Sequence, residues 1–410
     1  MSNSVIVTKD YPIGWKKTRL GEVCSHIKGF AFKSSDYRDS GRRLIRISDI
    51  SRDTISNEKS VYIDKRIADL NSKHRLNKGD IIVTSVGSRP PLLSSMVGKV
   101  IKIPENYSES LLNQNMVKLI PKNDLIDQNY LFSSLSAHDF IIHIIKIVTG
   151  NANQVSISLK DLFNYQFYLP PLSEQQKIAQ ILSTWDEAIA KTEQLIAALE
   201  QRKKGLMQRL LTGKVRFPEF SDSWISAKLK DVAIIIMGQS PSSTAYNNSE
   251  IGLPLIQGNS DIRLGFSSPR FFTSEYSKVC EIGDILLSVR APVGETAISN
   301  HVACLGRGVA AVQGTNIDHR FLYHLMKHNE WLWQKYAQGS TFSAINSNDI
   351  KGFSLFIPES RGEQEKIARL LDLCDKELSS IKNMLYGFSI EKKGIMQRLL
   401  TGQVRVKVEE

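Results

Sequence analysis

The feature that most constrains this chain is an internal duplication whose spacing is close to half of its 410 residues. KKGLMQRLLTGKVR at residues 203–216 returns as KKGIMQRLLTGQVR at residues 392–405. EQQKIAQIL at residues 174–182 returns as EQEKIARLL at residues 363–371. Both pairs lie 189 residues apart, far beyond the period of a solenoid repeat. The chain therefore has two similar halves, each of which ends in a fixed block.

The rest of each half is matched more loosely. GWKKTRLGEV at residues 14–23 corresponds to SWISAKLKDV at residues 223–232. GDIIVTSVGSRP at residues 79–90 corresponds to GDILLSVRAP at residues 283–292. The order of parts is thus variable domain, fixed block, variable domain, fixed block. The predicted segments are a first domain at 1–172, a first long helix at 173–213, a second domain at 214–359, a second long helix at 360–402 and a tail at 403–410.

The fixed blocks have the apolar pattern of long helices that pair with each other. Their apolar positions are spaced alternately by four and three residues, as the seam of a coiled coil requires. The first seam is Ile178, Leu182, Trp185, Ile189, Thr192, Ile196, Leu199, Lys203, Leu206 and Leu210. The second seam is Ile367, Leu371, Cys374, Leu378, Ile381, Leu385, Phe388, Lys392, Ile395 and Leu399.

The ends of these helices also carry recognisable signals. Ser173 with Gln176, and Ser360 with Glu363, predict capping boxes. Gly213 and Gly402 follow the seams and predict left-handed C-terminal caps. Each helix would span about 37 residues, or roughly 55 Å.

Two arrangements of the helices are open. In one, each helix packs as an amphipathic helix on its own domain; in the other, the two helices form a coiled coil. The spacing of 3.5 residues and the shared seam favour the coiled coil. Chain order then predicts an antiparallel pair with one domain at each end and a pseudo-two-fold relation between the halves. Lys203 and Lys392, at matched seam positions, would fix the register.

The variable domains carry short β-like runs between loops rich in Gly, Ser and Asn. These runs are Leu44–Ile47, Ile81–Thr84, Val117–Ile120, Ile285–Val289 and Val309–Val312. The predicted fold class is α+β, with two mixed α/β domains separated by the antiparallel two-helix coiled coil.

The charge balance favours a polyanionic partner. There are 53 Lys and Arg residues against 42 Asp and Glu residues, a formal net charge of +11, and basic residues on DNA release condensed counterions. No apolar run approaches the roughly 20 residues that span a bilayer, and the N-terminus does not have the pattern of a signal peptide. The four cysteines form no CxxC pair, which fits a reduced cytosol. We therefore expect a cytoplasmic protein that binds double-stranded DNA and no membrane.

Sequence readout of DNA requires polar side chains that reach base edges, with further Lys and Arg on phosphates. The candidates in the first domain are Lys28, Lys33, Arg46, Ser85, Arg89, Asn113 and Asn153. The candidates in the second domain are Ser240, Ser242, Gln257, Asn259, Arg290, Arg307 and Thr341. Arg46, Arg89, Arg290 and Arg307 are the strongest, because an Arg can bind guanine bidentately. Asp49 and Asp261 recur in both halves and are expected to brace backbone instead.

Catalytic motifs are missing from the sequence. It contains no GxGxxG dinucleotide loop and no GxxxxGK[ST] phosphate loop. His324 and His328 are four residues apart, but Leu325 stands where an HExxH motif has its glutamate, so we predict a surface histidine pair and no metal site. The chain is expected not to be an enzyme and to hold no cofactor.

The layout resembles the specificity subunits of Type I restriction-modification systems, in which two target-recognition domains alternate with two similar helices. The resemblance is carried by GWKKTRLGEV, by the Gly-Asp-Ile segments that begin at residues 79 and 283, by PPLSEQ at residues 170–175, and by the two KKGxMQRLLTG blocks. The chain departs from it at Glu359, which replaces the second proline, and in an extended loop at Arg89–Val97.

The resemblance implies a role that composition does not show. Such a subunit binds a bipartite DNA target, one part per domain, across a spacer of unspecified sequence. It is similar to subunits that recruit two methyltransferase chains along the helices, with two motor-nuclease (restriction) chains completing the complex. S-adenosylmethionine, ATP and magnesium would then belong to those partners.

Three alternatives remain open from the sequence. The first is a recognition subunit of a Type IIB-like modification system. The second is a coiled-coil scaffold without DNA contact, which would show no salt-dependent binding to duplex DNA. The third is a hidden nuclease, which would cleave DNA by itself in a metal-dependent reaction.

Overall fold

The computed structural model describes residues 12–50, 54–89, 97–151, 154–335 and 344–408. The chain forms two compact units. The first comprises Met1–Lys191 with Leu385–Glu410, and the second comprises Thr192–Met384. Each unit thus combines one variable domain with part of both long helices, whereas the sequence predicted domains and helices as separate segments.

The first unit contains a mixed α/β domain. Its strands are β1 (Lys16–Arg19), β2 (Cys24–Lys28), β3 (Tyr37–Arg38), β4 (Arg42–Ile45), β5 (Val61–Ile63), β6 (Ile81–Thr84), β7 (Val86–Gly87), β8 (Val100–Lys102), β9 (Leu111–Leu112), β10 (Met116–Pro121), β11 (Thr149–Asn151), β12 (Gln154–Ser156) and β13 (Gln166–Leu169). Its short helices are α1 (Leu20–Val23), α2 (Lys65–Leu70), α3 (Gln128–Ser136), α4 (His138–Ile147) and α5 (Leu159–Phe163). The first long helix, α6 (Leu172–Leu210), begins in this unit.

The second unit repeats this plan. Its strands are β14 (Trp224–Lys228), β15 (Ala233–Met237), β16 (Tyr246–Asn247), β17 (Leu253–Ile256), β18 (Ile262–Arg263), β19 (Phe266–Ser267), β20 (Phe271–Thr273), β21 (Val279–Cys280), β22 (Ile285–Ser288), β23 (Thr296–Ile298), β24 (Ala303–Leu305), β25 (Val309–Gly314) and β26 (Ser354–Pro358). Its helices are α7 (Leu229–Val232), α8 (His319–His328), α9 (Ser347–Gly352) and the second long helix, α10 (Arg361–Leu400), which ends in the first unit.

The duplication seen in the sequence extends to the strand order. The central sheet has the order β2-β10-β6-β8 in the first unit, and the second unit begins its larger sheet in the matching order β15-β25-β22-β23. A parallel pair, β4 with β9, in the first unit corresponds to β17 with β24 in the second. A two-stranded sheet joins the start of each domain to its end, through β1 with β13 and through β14 with β26. The mixed α/β fold class and the internal repeat are therefore confirmed.

The predicted strands lie in these sheets with small changes of boundary. The run predicted at Leu44–Ile47 is β4, which ends at Ile45 because a short 3-10 turn starts at Ile47. The central sheets are apolar: all residues of β6 and β22 are buried, as expected for strands covered on both faces.

The long helices pair in antiparallel fashion within each unit. In the first unit, Trp185 of α6 meets Phe388 of α10 edge-on, and Lys392 forms an ion pair with Asp186. In the second unit, Lys203 forms the equivalent ion pair with Asp375. No position of either predicted seam is exposed, which supports the heptad pattern. Lys203 and Lys392 each bind an aspartate of the facing helix, as a residue that specifies register would.

The core of each unit includes an apolar residue from the other half of the sequence. The core of the first unit contains Ile178 and Leu182 from the start of α6, together with Leu399 from the end of α10. The core of the second unit contains Ile367 and Leu371 with Leu210. Apolar area removed from water in these cores is a major stabilising contribution.

A buried carboxylate at the start of each long helix binds an arginine from the end of the other. In the second unit, Arg216 donates two hydrogen bonds to Glu363, at 2.9 and 2.7 Å, and these bonds raise the pKa of the guanidinium. In the first unit, Arg405 donates to Glu174 at 3.1 and 2.7 Å. Glu174 also accepts a hydrogen bond from the indole of Trp15. Both carboxylates are almost fully buried, so each depends on its arginine.

The first residues of the long helices differ from one prediction. The capping box at Ser173 is wrong, because α6 already begins at Leu172. At the second helix, α10 begins at Arg361, directly after Ser360 as predicted, and the Glu363 carboxylate binds Arg216. The glutamine that follows each glutamate secures the helix start: Gln175 and Gln364 donate to the carbonyls of Pro170 and Pro358, both at 2.8 Å.

The predicted left-handed caps are confirmed. Gly213 and Gly402 have φ angles of +68° and +70°, a conformation that favours glycine. Gly213 packs closely on the ring of Trp224, and Gly402 lies against Pro12 and Trp15. The last turn of each long helix is thereby fixed to the first strand region of one domain.

We expect Arg216→Ala to lower the melting temperature by roughly 5 °C or more, because the change leaves the buried Glu363 carboxylate without its partner. Differential scanning calorimetry of the full chain measures this effect. Arg361→Ala is the matched control, since the Arg361–Glu365 pair is exposed and exposed pairs contribute little. Equal shifts for the two variants would contradict the structural role of the buried pair.

Candidate nucleic-acid interface

In the first unit, the predicted site residues gather where strands of the central sheet end. Lys28 is the last residue of β2, and Ser85 directly follows β6. Both strands are antiparallel to β10, so their ends lie beside the start of β10. The backbone confirms this proximity: the Gly29 amide donates to the Met116 carbonyl, and the Ser85 amide donates to the Asn115 carbonyl, both at 2.9 Å.

In the second unit, the equivalent strand ends carry two exposed arginines. Arg290 follows β22 and forms an isolated bridge with Ala344. Arg307 precedes β25, and its amide donates to the Ser240 hydroxyl at 3.1 Å. Because β15 and β22 both run antiparallel to β25, Ser240, Arg290 and Arg307 come to the same end of the sheet. Within the described residues, neither guanidinium has a hydrogen bond or an ion pair.

A matched glycine allows the chain segments at each strand end to cross closely. A Cβ atom on Gly29 would overlap the carbonyl oxygen of Asn113, and one on Gly238 would overlap that of Gly306. These glycines are not among the predicted site residues. A signal was available, because Gly29 and Gly238 are separated by the same interval as the matched Trp15 and Trp224.

Asp49 and Asp261 brace the backbone beside these strand ends, as predicted. Asp49 accepts a hydrogen bond from the Arg46 amide at 3.0 Å, and Asp261 accepts one from the Gln257 amide at 2.8 Å. Both aspartates are buried. They hold the segment that follows β4 or β17, which brings Arg46 and Gln257 to corresponding positions.

Several candidate side chains are already engaged inside the protein. Arg46 donates to Asp49 at 3.0 Å and to the Lys59 carbonyl at 2.6 Å. Arg46 was predicted to contact a DNA base. Its guanidinium instead binds the buried Asp49 carboxylate, because Arg46 and Asp49 lie three residues apart around a tight turn. Asn113 is buried, and its side chain is therefore withdrawn from the surface.

The same holds for two candidates of the second unit. Asn259 donates its amide to the Glu295 carboxylate. The Ser242 hydroxyl lies 2.7 Å from that of Thr244 and caps a short 3-10 turn. These two polar side chains therefore form hydrogen bonds within the protein.

The remaining first-unit candidates lie near the strand ends or in local turns. Arg89 is exposed and donates to the Gly150 carbonyl of β11 at 3.3 Å. Lys33 is exposed and begins a short 3-10 turn, where its amide donates to Asp36. Asn153 and Thr341 lie outside the described residues. Of the predicted residues, Lys28, Lys33, Arg89, Ser242, Arg290 and Arg307 are exposed, and Ser85, Ser240 and Gln257 are half-buried.

The structure also bears on the predicted histidine pair, on metal binding and on membrane insertion. His324 is buried, contrary to the predicted surface pair, and its Nε2 lies 2.7 Å from the Asp372 carboxylate. Within the described ranges, no group of three or more His, Cys, Asp or Glu residues is arranged to hold a metal ion. Among the helices that the structure describes, none is long and apolar enough to cross a bilayer.

Comparison with known families identifies the family to which this chain belongs. Residues 12–201 and 221–385 both match the Type I restriction modification DNA specificity domain. The chain belongs to this family. The two matches correspond to the two halves of the duplication, each with one mixed domain and most of one long helix. Its members are specificity subunits of Type I restriction-modification systems, as predicted from the repeated blocks.

Individual relatives agree with the family match over nearly the whole chain. A putative Type I restriction enzyme specificity subunit from Methanocaldococcus jannaschii, MjaX, is 31% identical over 97% of this chain and 95% of the relative. A second specificity subunit from that organism, MjaVIII, is 25% identical over 97% of this chain and 94% of the relative.

Solved structures support the fold. A chain from a study of complex assembly and conformational transition of the Type I restriction-modification system is similar, with a TM-score of 0.59, 25% identity and coverage of 96% of this chain and 100% of that chain. The specificity subunit from M. genitalium has a TM-score of 0.62 and 15% identity, with coverage of 96% of this chain and 97% of that chain, and shows the fold alone.

We expect Arg307→Ala and Arg290→Ala each to weaken binding to cognate duplex DNA by roughly 1–3 kcal/mol, because each removes an exposed guanidinium that has no partner in the part of the chain that the structure describes. Fluorescence anisotropy at several salt concentrations measures the loss. Lys230→Ala is the control, since Lys230 is exposed and precedes the opposite end of β15. Arg46→Ala should mainly lower stability. Unchanged affinity in both strand-end variants would place the DNA elsewhere.

Proposed function

We propose that this chain is the subunit that gives a Type I restriction-modification complex its DNA sequence specificity by reading a bipartite target. Each unit presents the same strand-end surface from one half of the duplication, and the exposed side chains differ between the halves. Arg290 and Arg307 occupy this surface in the second unit, whereas Lys28 and Arg89 occupy it in the first. One scaffold with two sets of reading residues suits a target made of two different half-sites.

The observation that carries the proposal is the exposure of these cations at matched strand ends. Loops at the ends of a rigid sheet are common places for binding residues. The Arg290 and Arg307 guanidiniums, which have no partner among the described residues, remain available to phosphates or guanine edges. The net charge of +11 adds a long-range attraction to DNA.

The helices would set the spacing between the half-sites. Their register is defined by paired charges, Lys203 with Asp375 and Lys392 with Asp186, and by seams without an exposed position. A helical pair of defined register resists sliding. The length of the unspecified spacer in the target would therefore follow from these helices.

The proposed partners are two methyltransferase subunits and two restriction subunits, which dock on this chain to form the complex. S-adenosylmethionine, ATP and magnesium would be bound by those partners and not by this chain. The chain would have no catalytic activity of its own, in agreement with its family, which supplies specificity to the complex.

The rival function within modification systems is a recognition subunit of a Type IIB-like enzyme. The family match and the relatives, all specificity subunits of Type I systems, favour the Type I assignment. A scaffold without DNA contact would not explain why exposed cations lie at the matched strand ends of both units.

Exchange of residues 14–170 for those of a relative with another target should change only one half of the methylated sequence. The physical reason is that the other reading surface remains on residues 223–358. Methylation-sensitive sequencing of host DNA, with the cognate methyltransferase present, measures the motif. The reciprocal exchange of residues 223–358 is the control. Changes in both halves after a single exchange would contradict reading by separate domains.

Deletion of seven residues from α6 alone should prevent complex assembly or change the spacer length, because the seam would no longer match that of α10. Size-exclusion chromatography with the methyltransferase, followed by motif mapping, measures both results. Removal of seven residues from both helices at matched positions is the control and should restore pairing with a shorter spacer. An unchanged spacer in the matched deletion would contradict the role of the helices.

A further inference from the structure

Phe30 and Gln239 occupy one matched position of the two strand-end surfaces. Each directly follows the glycine at which two chain segments cross. The Phe30 amide donates to the Leu112 carbonyl at 2.9 Å, and the Gln239 amide donates to the Leu305 carbonyl at 2.8 Å. Leu112 and Leu305 are the last residues of the equivalent strands β9 and β24. The same backbone position therefore carries an aromatic ring in one unit and an amide in the other.

The Phe30 ring is an apolar group on the surface of the first unit. Its residue is 39% exposed, whereas Phe32, two residues later, is buried in an apolar cluster with Leu44 and Leu111. Burial of apolar area against a ligand is favourable. Phe30 can therefore bind an apolar group of a ligand at a place where polar side chains would otherwise be expected.

Two neighbouring rings fix the position of Phe30. Phe32 meets it edge-on, with ring centroids 4.8 Å apart, and the centroid of the buried His74 ring lies 5.3 Å away. The His74 Nδ1 donates to the Lys28 carbonyl at 2.9 Å. Burial lowers the pKa of His74, so this ring is uncharged at neutral pH. Phe30 thus lies on an uncharged aromatic support.

Gln239 presents both a donor and an acceptor at the same position of the second unit. Its residue is exposed, and the Ser277 hydroxyl donates to its Oε1 at 3.4 Å. Within the part of the chain that the structure describes, its Nε2 has no hydrogen-bond partner. An amide oxygen has two lone pairs, so Oε1 can accept a second hydrogen bond. This pattern matches adenine, which offers the N7 acceptor and the N6 amino donor.

Exposed cations flank both positions. Lys28 and Lys33 stand on either side of Phe30 in the chain, and both are exposed. The exposed Arg307 lies beside Gln239, because its amide donates to the hydroxyl of the next residue at 3.1 Å. Cations that bind phosphates hold a duplex in register while neighbouring side chains read the bases. Each position therefore has the surroundings that a base-reading side chain requires.

We propose that this matched position specifies one base in each part of the target: Phe30 contacts the 5-methyl group of a thymine, and Gln239 binds an adenine through N6 and N7. The inference rests on the proposed function, under which each unit reads one part of the target. Among the four unmodified bases, only thymine has a methyl group in the major groove, and an amide pairs bidentately with adenine. The two parts would differ here because one side chain offers only apolar contact and the other offers hydrogen bonds.

Base analogues that each remove one group test the proposal. The full chain, in complex with its cognate methyltransferase, is titrated by fluorescence anisotropy with duplexes that carry the methylated motif of the host. The domain exchange described above assigns each part of the motif to its unit. Uracil replaces each thymine of the first part in turn, which removes only the methyl group. 7-Deazaadenine replaces each adenine of the second part in turn, which removes only the N7 acceptor.

We expect one uracil duplex to bind about fourfold more weakly than the unmodified duplex, and one 7-deazaadenine duplex about fivefold more weakly. Phe30→Ala should bind the thymine and uracil duplexes equally, and Gln239→Ala should bind the adenine and 7-deazaadenine duplexes equally. Each variant is the control for the other, because each should retain the discrimination in the opposite part. Phe30→Leu keeps an apolar contact and should retain some preference for thymine, which preserves the test if the alanine variant unfolds.

The outcomes separate this inference from the proposed function. A uracil penalty that persists in Phe30→Ala, or a first part without thymine, would overturn the assignment of Phe30; the corresponding results with adenine would overturn that of Gln239. Equal binding of thymine and uracil duplexes by the wild type would show that the ring packs on a base face or a sugar and reads no methyl group. These results leave the proposed function intact. A wild-type complex that binds the motif no better than a random duplex would contradict the proposed function itself.

Discussion

The pairing of a buried carboxylate with an arginine from the other half of the sequence is the constraint on which each unit depends. Glu174 and Glu363 lie almost without solvent exposure at the starts of the long helices. A buried charge is tolerated only when it is paired and hydrogen-bonded. The partners, Arg405 and Arg216, stand just after the cap glycines of the opposite helices. Neither unit can therefore complete its core without the last turn of the other long helix.

This constraint explains why the two fixed blocks are so similar to each other. Within fourteen residues, each block supplies a seam lysine, core leucines, a left-handed glycine and the arginine that neutralises the buried glutamate. The domains between the blocks are less alike, and under the proposed function their surface loops would differ in order to read different bases. Under that proposal, a constant frame with variable strand ends would allow the target to change without loss of the assembly.

Much of the frame could be predicted from the sequence because its signals are local and repeated. The seam spacing predicted the helix faces, and glycines at matched positions predicted the caps. The cap at Ser173 was predicted wrongly, because α6 begins one residue earlier, at Leu172. The sequence pattern also does not reveal that Glu363 binds Arg216, 147 residues away. The buried state of His324 was missed for the same reason, since its partner Asp372 lies on another helix.

The reading surface could be predicted only in part. Arg290 and Arg307 are exposed at the strand ends as expected, whereas Arg46 is held by Asp49. A polar residue in a loop can serve the backbone or a ligand, and the sequence alone does not distinguish these uses. Gly29 and Gly238 show the reverse case, in which residues without side chains shape the surface by allowing two segments to approach closely.

The central claim is that two similar units read two separate parts of one DNA target. Single-molecule methylome sequencing of the host strain, with and without this gene, tests it most directly. The account predicts that one bipartite motif, with two defined parts and an unspecified spacer of fixed length, loses methylation when the gene is deleted. Loss of a single uninterrupted motif, or no change in methylation while the methyltransferase is still expressed and active, would contradict it.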